Sequence, residues 1–293
     1  MITNALNDPQ KMSAQADACL AAGAKVAIIT DIAAGTSISI QKKFAKAGGY
    51  SIDYDRLVSG GRAKVYVAFD GTGVGVAQAT GILKGLKGKT KPVVAELWGG
   101  PTDANAFWFK SGNDKILNPL FKSGKIAKGP QQFVPLWLAT NAGPIYSQML
   151  VRTNNKIDGA IAANDNIAGA VVAVEKAKKL QPIALSGQDA TAQGVQNIIS
   201  GWQTMTVYKK VPLEAAAAAK AAVQLLKGQK VTGINAYCNA KKDVCAVAKS
   251  GGAESSILIT PIAITKSNYK ILFTDKFLKR SEVCVGAYAK YCK

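Results

Sequence analysis

Histidine is absent from the 293 residues of this sequence. Its absence excludes Ser-His-Asp and Cys-His catalysis and most zinc sites, so an enzyme here would depend on carboxylates or lysines. No run of about 18 apolar residues occurs, so we expect no membrane-spanning helix. The residues after Met1, ITNALNDPQ, are neither basic nor apolar and do not resemble a signal peptide.

Acidic residues are also scarce. The sequence has 18 of them against 37 lysines and arginines, which gives a formal net charge of +19. The basic residues are scattered, and no block of five or six like charges occurs, which is typical of a solvated basic surface. Attraction to an anionic envelope or to nucleic acid is the alternative interpretation of such a charge.

The 5 cysteines include two close pairs, Cys238 with Cys245 and Cys284 with Cys292. Neither spacing is C-x-x-C, and without histidine the pattern does not favour zinc. Two short disulfide loops fit better and indicate an oxidising compartment. Two reduced, buried pairs remain the alternative. Cys19 is left over.

Strand and helix patterns alternate along the chain in two series. Apolar runs at residues 26–29, 65–69 and 93–97 predict buried strands in the first series, and runs at 160–163 and 205–208 do so in the second. Such alternation predicts α/β architecture with parallel, doubly wound sheets in two lobes. After Gly228 the pattern weakens, and one more strand is predicted at residues 257–259.

Two glycine-rich stretches could suggest a nucleotide cofactor. In residues 71–75, GTGVG, the third glycine of a dinucleotide fingerprint would fall on Val76, so the spacing fails. A phosphate loop ending at residues 88–90, GKT, would need glycine at Leu83 and a preceding strand. We therefore predict neither a cofactor nor a metal.

Polar side chains follow the predicted strands where each strand ends. Ligands of open α/β sheets bind beyond these carboxyl ends. Carboxylates accept hydrogen bonds, Arg and Lys donate them, and amides both donate and accept. Such a mixture suits the hydroxyls of a neutral sugar, which also donate and accept. Helix capping is the alternative role for Asp103 and Asp165. The strand-end residues are Asp55, Arg56, Asp103, Asn105, Asn164, Asp165, Asp189 and Lys209. Trp137 could add an apolar face for a sugar ring, although a lone tryptophan is more often core.

Several motifs resemble those of one protein family. They include YDRL at residues 54–57, GPTDANA at 100–106, AND at 163–165, GQDA at 187–190 and TMTVYK at 204–209. In order and spacing they resemble the xylose-binding family among the sugar-binding proteins of bacterial ABC importers, and the similarity covers nearly the whole chain.

This resemblance implies a two-lobed type I periplasmic binding protein, in which three crossovers join two doubly wound parallel sheets flanked by helices. We expect residues 1–103 and 209–259 in the N-terminal lobe, and 104–208 and 260–293 in the C-terminal lobe. The family begins with a strand and helix before the segment that matches residues 4–11. We therefore expect that the first strand of the N-terminal lobe is missing, either because the sequence is a fragment or because its start was assigned too late.

The resemblance also implies a function without catalysis: capture of D-xylose or a related aldose by lobe closure, and delivery to a membrane permease. It implies a periplasmic or other extracytoplasmic location, no nucleic-acid partner, and a monomer when complete. In this family Asp-Asn-Asn replaces Asp103-Ala104-Asn105, and the surroundings of Trp137 match only loosely. The implied sugar contacts are Asp55, Arg56, Asn105, Trp137, Asn164, Asp189 and Lys209.

Three alternatives stay open. The chain could be the sugar-effector domain of a transcription regulator, which the paired cysteines do not favour because cytosolic proteins rarely keep disulfides. It could bind several sugars, such as glucose, galactose and arabinose. A carboxylate-based sugar enzyme has no support beyond the acids themselves.

Overall fold

The computed structural model describes residues 1–239, 244–246 and 253–292. The chain forms two compact units, and each is described by itself. The first unit comprises Met1–Asp70 and Val211–Thr260, and the second comprises Gly71–Lys210 and Pro261–Lys293. The chain therefore passes from one unit to the other after Asp70, after Lys210 and after Thr260.

The first unit is a sheet with helices. Its elements are α1 (Pro9–Ala21), β1 (Val26–Ile29), α2 (Ala34–Lys46), β2 (Tyr50–Tyr54), β3 (Val65–Phe69), α8 (Val211–Leu226), β9 (Ala236–Asn239), β10 (Val244–Ala246) and β11 (Glu254–Ile259). The strand order is β1-β2-β3-β11-β9-β10, in which the first four strands are parallel and β9 and β10 are antiparallel additions.

The core of this unit follows from the apolar strand β3, which is buried along its whole length. Ile52, Val65 and Val67 pack against Ala218 and Ala221 of the alanine-rich helix α8. Alanine has a small side chain, so this helix can lie close to the sheet. At the other end of the sheet, β1 pairs with β2 and with no other described strand.

The second unit is built around a four-stranded parallel sheet of order β5-β4-β6-β7 and an antiparallel pair, β8 with β12. Its elements are α3 (Gly71–Gly85), β4 (Val93–Trp98), α4 (Ala104–Lys122), β5 (Ala127–Phe133), α5 (Ala139–Arg152), β6 (Gly159–Ala162), α6 (Asp165–Ala177), β7 (Ala184–Leu185), α7 (Ala192–Ser200), β8 (Met205–Tyr208), β12 (Ile262–Thr265), α9 (Ile271–Thr274), α10 (Arg280–Val283), and the 3-10 helices Pro135–Trp137 and Gly286–Tyr291.

Alternating side chains of the central strands supply two separate cores. Ala95 and Leu97 of β4 belong to the cluster that includes α5 and α6 residues. Val94 of β4 and Ile161 of β6 belong instead to the cluster that includes Ile82 of α3 and residues of α4. Since successive side chains of a strand point to opposite faces, helices cover both faces of this sheet. This arrangement confirms the prediction of a doubly wound sheet.

The structure divides the chain earlier than the predicted boundary at residue 103. Residues 71–103 belong to the second unit because β4 pairs with β5 on one side and with β6 on the other. The later crossovers fall within two residues of the predicted positions, after Lys210 and Thr260.

The expectation of a single strand after Gly228 was wrong, because β9, β10, β11 and β12 all follow that residue.

Both predicted cysteine pairs lie at disulfide distance. The sulfur atoms of Cys238 and Cys245 are 2.10 Å apart, and those of Cys284 and Cys292 are 2.15 Å apart. Cys19 is a free thiol. Among the described residues, no helix is both long enough and apolar enough to cross a membrane.

Candidate functional site

The predicted strand-end residues of the second unit lie along one edge of its parallel sheet. Strands β4, β6 and β7 are neighbours, and Asn105, Asn164 and Asp189 follow them in that order. Because parallel strands end at the same edge, these residues share the edge at which ligands of such sheets bind.

The loop after β4 presents a buried amide. The backbone N–H of Asn105 donates to Asp103 Oδ1 at 3.0 Å, so Asp103 caps α4. Asn105 is in the first turn of this helix, and both residues are buried. The helix-capping alternative therefore holds for Asp103, and Asn105 is the residue of this pair that we keep as a binding candidate.

Trp137 packs on the same loop. Leu136 and Trp137 both have positive φ angles, 55° and 60°, in the 3-10 helix after β5. The indole lies so close to Gly99 that a Cβ atom there would be 2.0 Å from the ring. Its centroid is 6.0 Å from that of Phe109, in an edge-on contact.

The indole nitrogen of Trp137 is buried, and no hydrogen-bond partner occurs for it in the part of the chain that the structure describes. Buried polar groups are nearly always hydrogen-bonded, so such a donor requires an explanation. A polar ligand that lies against the loop after β4 would provide the missing acceptor.

Asn164 has a structural role as the N-cap of α6. Its Oδ1 accepts the backbone N–H of Ile167 at 2.9 Å, and the residue is buried. The cap fixes the orientation of this side chain and does not use its amide NH2 group. A fixed amide at a strand end can still donate to a ligand.

Asp189 and Lys209 meet at the ends of β7 and β8. Lys209 Nζ is 3.5 Å from Asp189 Oδ1, and the aspartate side chain is 39% exposed. The backbone of Asp189 has a φ angle of 91°, and its N–H donates to the Val207 carbonyl at 2.8 Å. The segment after β7 thus runs beside β8, which brings together the acid and the base that the sequence placed at consecutive strand ends.

Asp165 holds this segment in place, a role that the sequence interpretation missed. Its carboxylate accepts the Thr191 backbone N–H at 2.8 Å and the Gln203 side-chain amide at 2.8 Å. Its own backbone N–H donates to the Gln188 carbonyl at 2.9 Å. A Cβ atom at Gly194 would lie 2.1 Å from the carboxylate, so the surrounding chain closely encloses it.

Burial changes the acidity of Asp165. Only 2% of the residue is exposed, and this desolvation raises the pKa of the carboxyl from 3.8 to about 7. The hydrogen bonds from Gln203, Thr191 and Thr206 lower the pKa, whereas the charge of Asp189 raises it further. The pKa of Asp165 therefore depends on the charge of the candidate ligand residue Asp189.

In the first unit, Asp55 and Arg56 directly follow β2. The Asp55 backbone, at a φ angle of 60°, donates to the Val67 carbonyl at 2.9 Å and accepts the Tyr66 hydroxyl at 3.0 Å. Arg56 Nη1 donates to the carbonyl oxygen of Asp31, which follows β1, at 3.3 Å. The two strand ends are thus linked, and Asp55 and Arg56 are both half-buried.

Metal ligation finds no support in the described ranges, where no group of three or more Cys, Asp or Glu side chains is placed to hold a metal ion.

The GTGVG stretch also has a structural explanation. A Cβ atom at Gly75 would lie 1.9 Å from the carbonyl oxygen of Phe109, so this glycine allows α3 and α4 to touch.

Comparison with known proteins identifies the family. The model of the periplasmic binding protein domain matches residues 1–230. The chain belongs to the periplasmic binding protein family. Within this family it is 34% identical to the D-xylose-binding periplasmic protein of Escherichia coli (strain K12), over 94% of this chain and 80% of that protein. It is 31% identical to a multiple sugar-binding periplasmic receptor of Rhizobium radiobacter, with the same coverage of 94% and 80%.

Solved structures of periplasmic binding proteins agree with this fold. A carbohydrate transporter solute-binding protein from Chloroflexus aurantiacus, in complex with D-glucose, matches with a TM-score of 0.82 and 27% identity, over 94% of this chain and 86% of that chain. These findings confirm the resemblance to sugar-binding proteins and the type I periplasmic binding protein fold.

Proposed function

We propose that this chain is the sugar receptor of an ABC importer. It captures D-xylose or a related aldose outside the cytoplasm and delivers it to a membrane permease without transforming it. The 34% identity to a D-xylose-binding periplasmic protein supports this proposal. The two cysteine pairs at disulfide distance also support it, because disulfides persist in oxidising compartments.

The contact between Asp189 and Lys209 is the observation on which the proposal mainly rests. A carboxylate and an ammonium 3.5 Å apart offer an acceptor and a donor to neighbouring hydroxyls of one sugar. The pair is half-buried at the end of two strands, where hydrogen bonds to charged groups contribute about 1.5–3 kcal/mol each.

The remaining contacts are proposed from their positions. Asn105 and Asn164 would bind ring hydroxyls through their amides, and the Trp137 indole would donate through its buried nitrogen and cover an apolar face of the sugar. Asp55 and Arg56, at strand ends of the first unit, are the contacts that we propose for that unit.

A receptor for several sugars is the second candidate. It is favoured by the 31% identity to a multiple sugar-binding receptor over 94% of this chain. The two candidates differ in selectivity only, so one titration series distinguishes them.

Calorimetric titration of the purified chain with D-xylose, D-glucose, D-galactose and L-arabinose tests the function. We expect D-xylose to bind, and comparable affinity for all four sugars would favour the second candidate. Failure of every sugar to bind would overturn both.

Substitution then tests the site. Asp189→Ala leaves donors without their acceptor, which costs about 1–3 kcal/mol, or roughly fivefold to more than a hundredfold in affinity. Asp70→Ala is the matched control, because Asp70 also directly follows a strand, β3, but is not among the proposed contacts. If the sugar binds equally to wild type and Asp189→Ala, the function stands and the proposed site is wrong.

A further inference from the structure

The basic residues of the second unit are concentrated at the edge of its sheet opposite the candidate site. Helices α3, α4, α5 and α6 each lead into the next parallel strand, so their C-terminal ends all lie at the edge where the strands begin. We call this region the strand-start edge, and define it by residues 84–91, 122–128, 152–156 and 176–179.

These four segments contain four, three, two and three basic residues, twelve in all, and no acidic residue. All twelve side chains are exposed. The nearest acids in sequence are Asp158, whose Oδ1 is 2.7 Å from Lys89 Nζ, and Glu175, which is buried and accepts the Tyr146 hydroxyl at 2.6 Å. Of the described carboxylates, Asp158 is the one that pairs with any of these twelve cations.

Helix ends account for only part of this charge. A basic side chain in the last turn of a helix is favoured by the helix dipole, and Lys84, Lys122, Arg152 and Lys176 occupy such positions. Of the other eight basic residues, Lys178 is the C-cap of α6, and the remaining seven lie further beyond the helix ends, where the effect of the helix dipole falls off. The second unit therefore has a strongly cationic edge that its own folding does not require.

The form of the edge indicates a planar anionic partner. Four strands about 4.8 Å apart, with helices on both faces, spread these charges over a surface rather than along a groove. Val151 is 71% exposed in this region. It lines a hollow together with Ser147, Gln148, Arg152 and Lys178, which combines two cations, two hydrogen-bonding side chains and one apolar side chain.

A nucleic acid fits this edge less well. Bases are bound by free aromatic faces and by the planar fork of arginine. Eleven of the twelve basic residues are lysines. The two aromatic rings nearby are both covered by ammonium groups, with Lys176 Nζ 4.9 Å from the Trp202 ring centroid and Lys128 Nζ 5.9 Å from that of Phe121.

We propose that the strand-start edge binds the surface of a membrane that contains anionic phospholipids. Lysines contact the headgroup phosphates, the hollow beside Arg152 and Lys178 receives one phosphate, and Val151 lies at the interface. Near such a surface each basic residue contributes about a fivefold gain in partitioning, which is screened by salt. This proposal does not depend on the identity of the sugar.

Cosedimentation of the full chain with vesicles tests the proposal. We expect binding to vesicles of phosphatidylcholine mixed with phosphatidylglycerol, and none to pure phosphatidylcholine. Removal of four edge charges should weaken partitioning by roughly several hundredfold if the contributions multiply, since about fivefold is expected for each. The edge variant combines Arg152→Gln, Lys156→Gln, Lys178→Gln and Lys179→Gln.

The matched control removes the same charge from the first unit. The four lysines changed in the control are exposed, as are the four residues changed in the edge variant, so both variants should fold and melt within a few degrees of wild type. We expect the control to keep most of the vesicle binding, and the charge-preserving set Lys156→Arg, Lys178→Arg and Lys179→Arg to keep all of it. The control variant combines Lys11→Gln, Lys42→Gln, Lys46→Gln and Lys227→Gln.

Three results would overturn the proposal. The first is failure of wild type to bind anionic vesicles. The second is an equal loss of affinity in the edge and control variants, which would mean that only diffuse net charge matters. The third is an edge variant that retains vesicle binding and loses binding to a single-stranded oligonucleotide, which would assign the edge to nucleic acid. D-xylose titration of the edge variant should match wild type, so failure here is distinct from failure of the proposed function.

Discussion

The buried carboxyl of Asp165 leads to a prediction about the pH dependence of stability. In the folded chain its pKa is raised from 3.8 to about 7, mainly by burial. Between about pH 4 and pH 7 the folded state therefore keeps a proton that the unfolded state has lost. The free energy of unfolding must fall as pH rises through this window, and the fall ends above the folded pKa.

The magnitude follows from the shift. One pKa unit corresponds to about 1.4 kcal/mol, so a rise from 3.8 to about 7 corresponds to a free energy on the order of 4 kcal/mol. Asp165→Asn removes this titration. The asparagine NH2 group would also face either the backbone N–H of Thr191 or the side-chain amide N–H of Gln203, and two donors cannot form a hydrogen bond. This loss lowers the free energy of unfolding by about 1–3 kcal/mol at every pH.

Wild type should consequently be the more stable protein near pH 4, and the difference should shrink or reverse by pH 8. The other carboxyls with raised pKa values titrate in both proteins and cancel in the comparison; they are Asp53 and Glu175 at about 7, Glu254 at about 8, and Glu96, whose pKa is raised by burial. Only the difference between the two unfolding curves therefore reports on Asp165.

Urea denaturation followed by tryptophan fluorescence is a suitable assay, because all 4 tryptophans lie between residues 71 and 210 and report on the second unit. If the free energies of unfolding of wild type and Asp165→Asn change in parallel from pH 4 to pH 8, the carboxyl is ionised throughout and the reasoning is refuted.

Three further predictions concern other parts of the chain. Thiol titration under denaturing, non-reducing conditions should find one thiol, that of Cys19, and five would show that neither disulfide forms. Gly194→Ala should destabilise the second unit by about 1–3 kcal/mol in the same denaturation assay, because the added Cβ would lie 2.1 Å from the Asp165 carboxylate. Gly169→Ala in α6 is the control; its added Cβ would meet nothing within 4 Å, so this substitution should be neutral or stabilising. Ile28 is 48% exposed on the edge strand β1, so Ile28→Lys should reduce any concentration-dependent association in sedimentation velocity, and unchanged association would exclude this edge as its cause.

The sequence predicts the architecture better than it predicts which sheet each strand joins. Residues 93–97 read as a buried strand, and they form one. An apolar run carries no information about its partners, however, so only the pairing of β4 with β5 and β6 shows that it belongs to the second unit. Strands β9, β10 and β12, which have only three or four residues each, were missed.

The candidate site shows a similar limit. The polar residues after β4, β6 and β7 follow from chain order, because parallel strands end together. The sequence does not reveal which of two adjacent residues caps a helix. Asn164 caps α6, and Asp165 turns inward to hold the segment after β7. The placement of Trp137 depends on positive φ angles at two non-glycine residues, which sequence patterns do not predict.

The close approach of α3 and α4 has a consequence for local opening. A Cβ atom at Gly75 would meet Phe109 O at 1.9 Å, and one at Gly112 would meet Thr72 O at 2.2 Å, so the two backbones touch without intervening side chains. Neither helix can shift along this seam unless the other separates from it. In native-state hydrogen exchange, the amides of residues 71–85 and 104–122 should therefore become accessible to solvent together, as one cooperative unit.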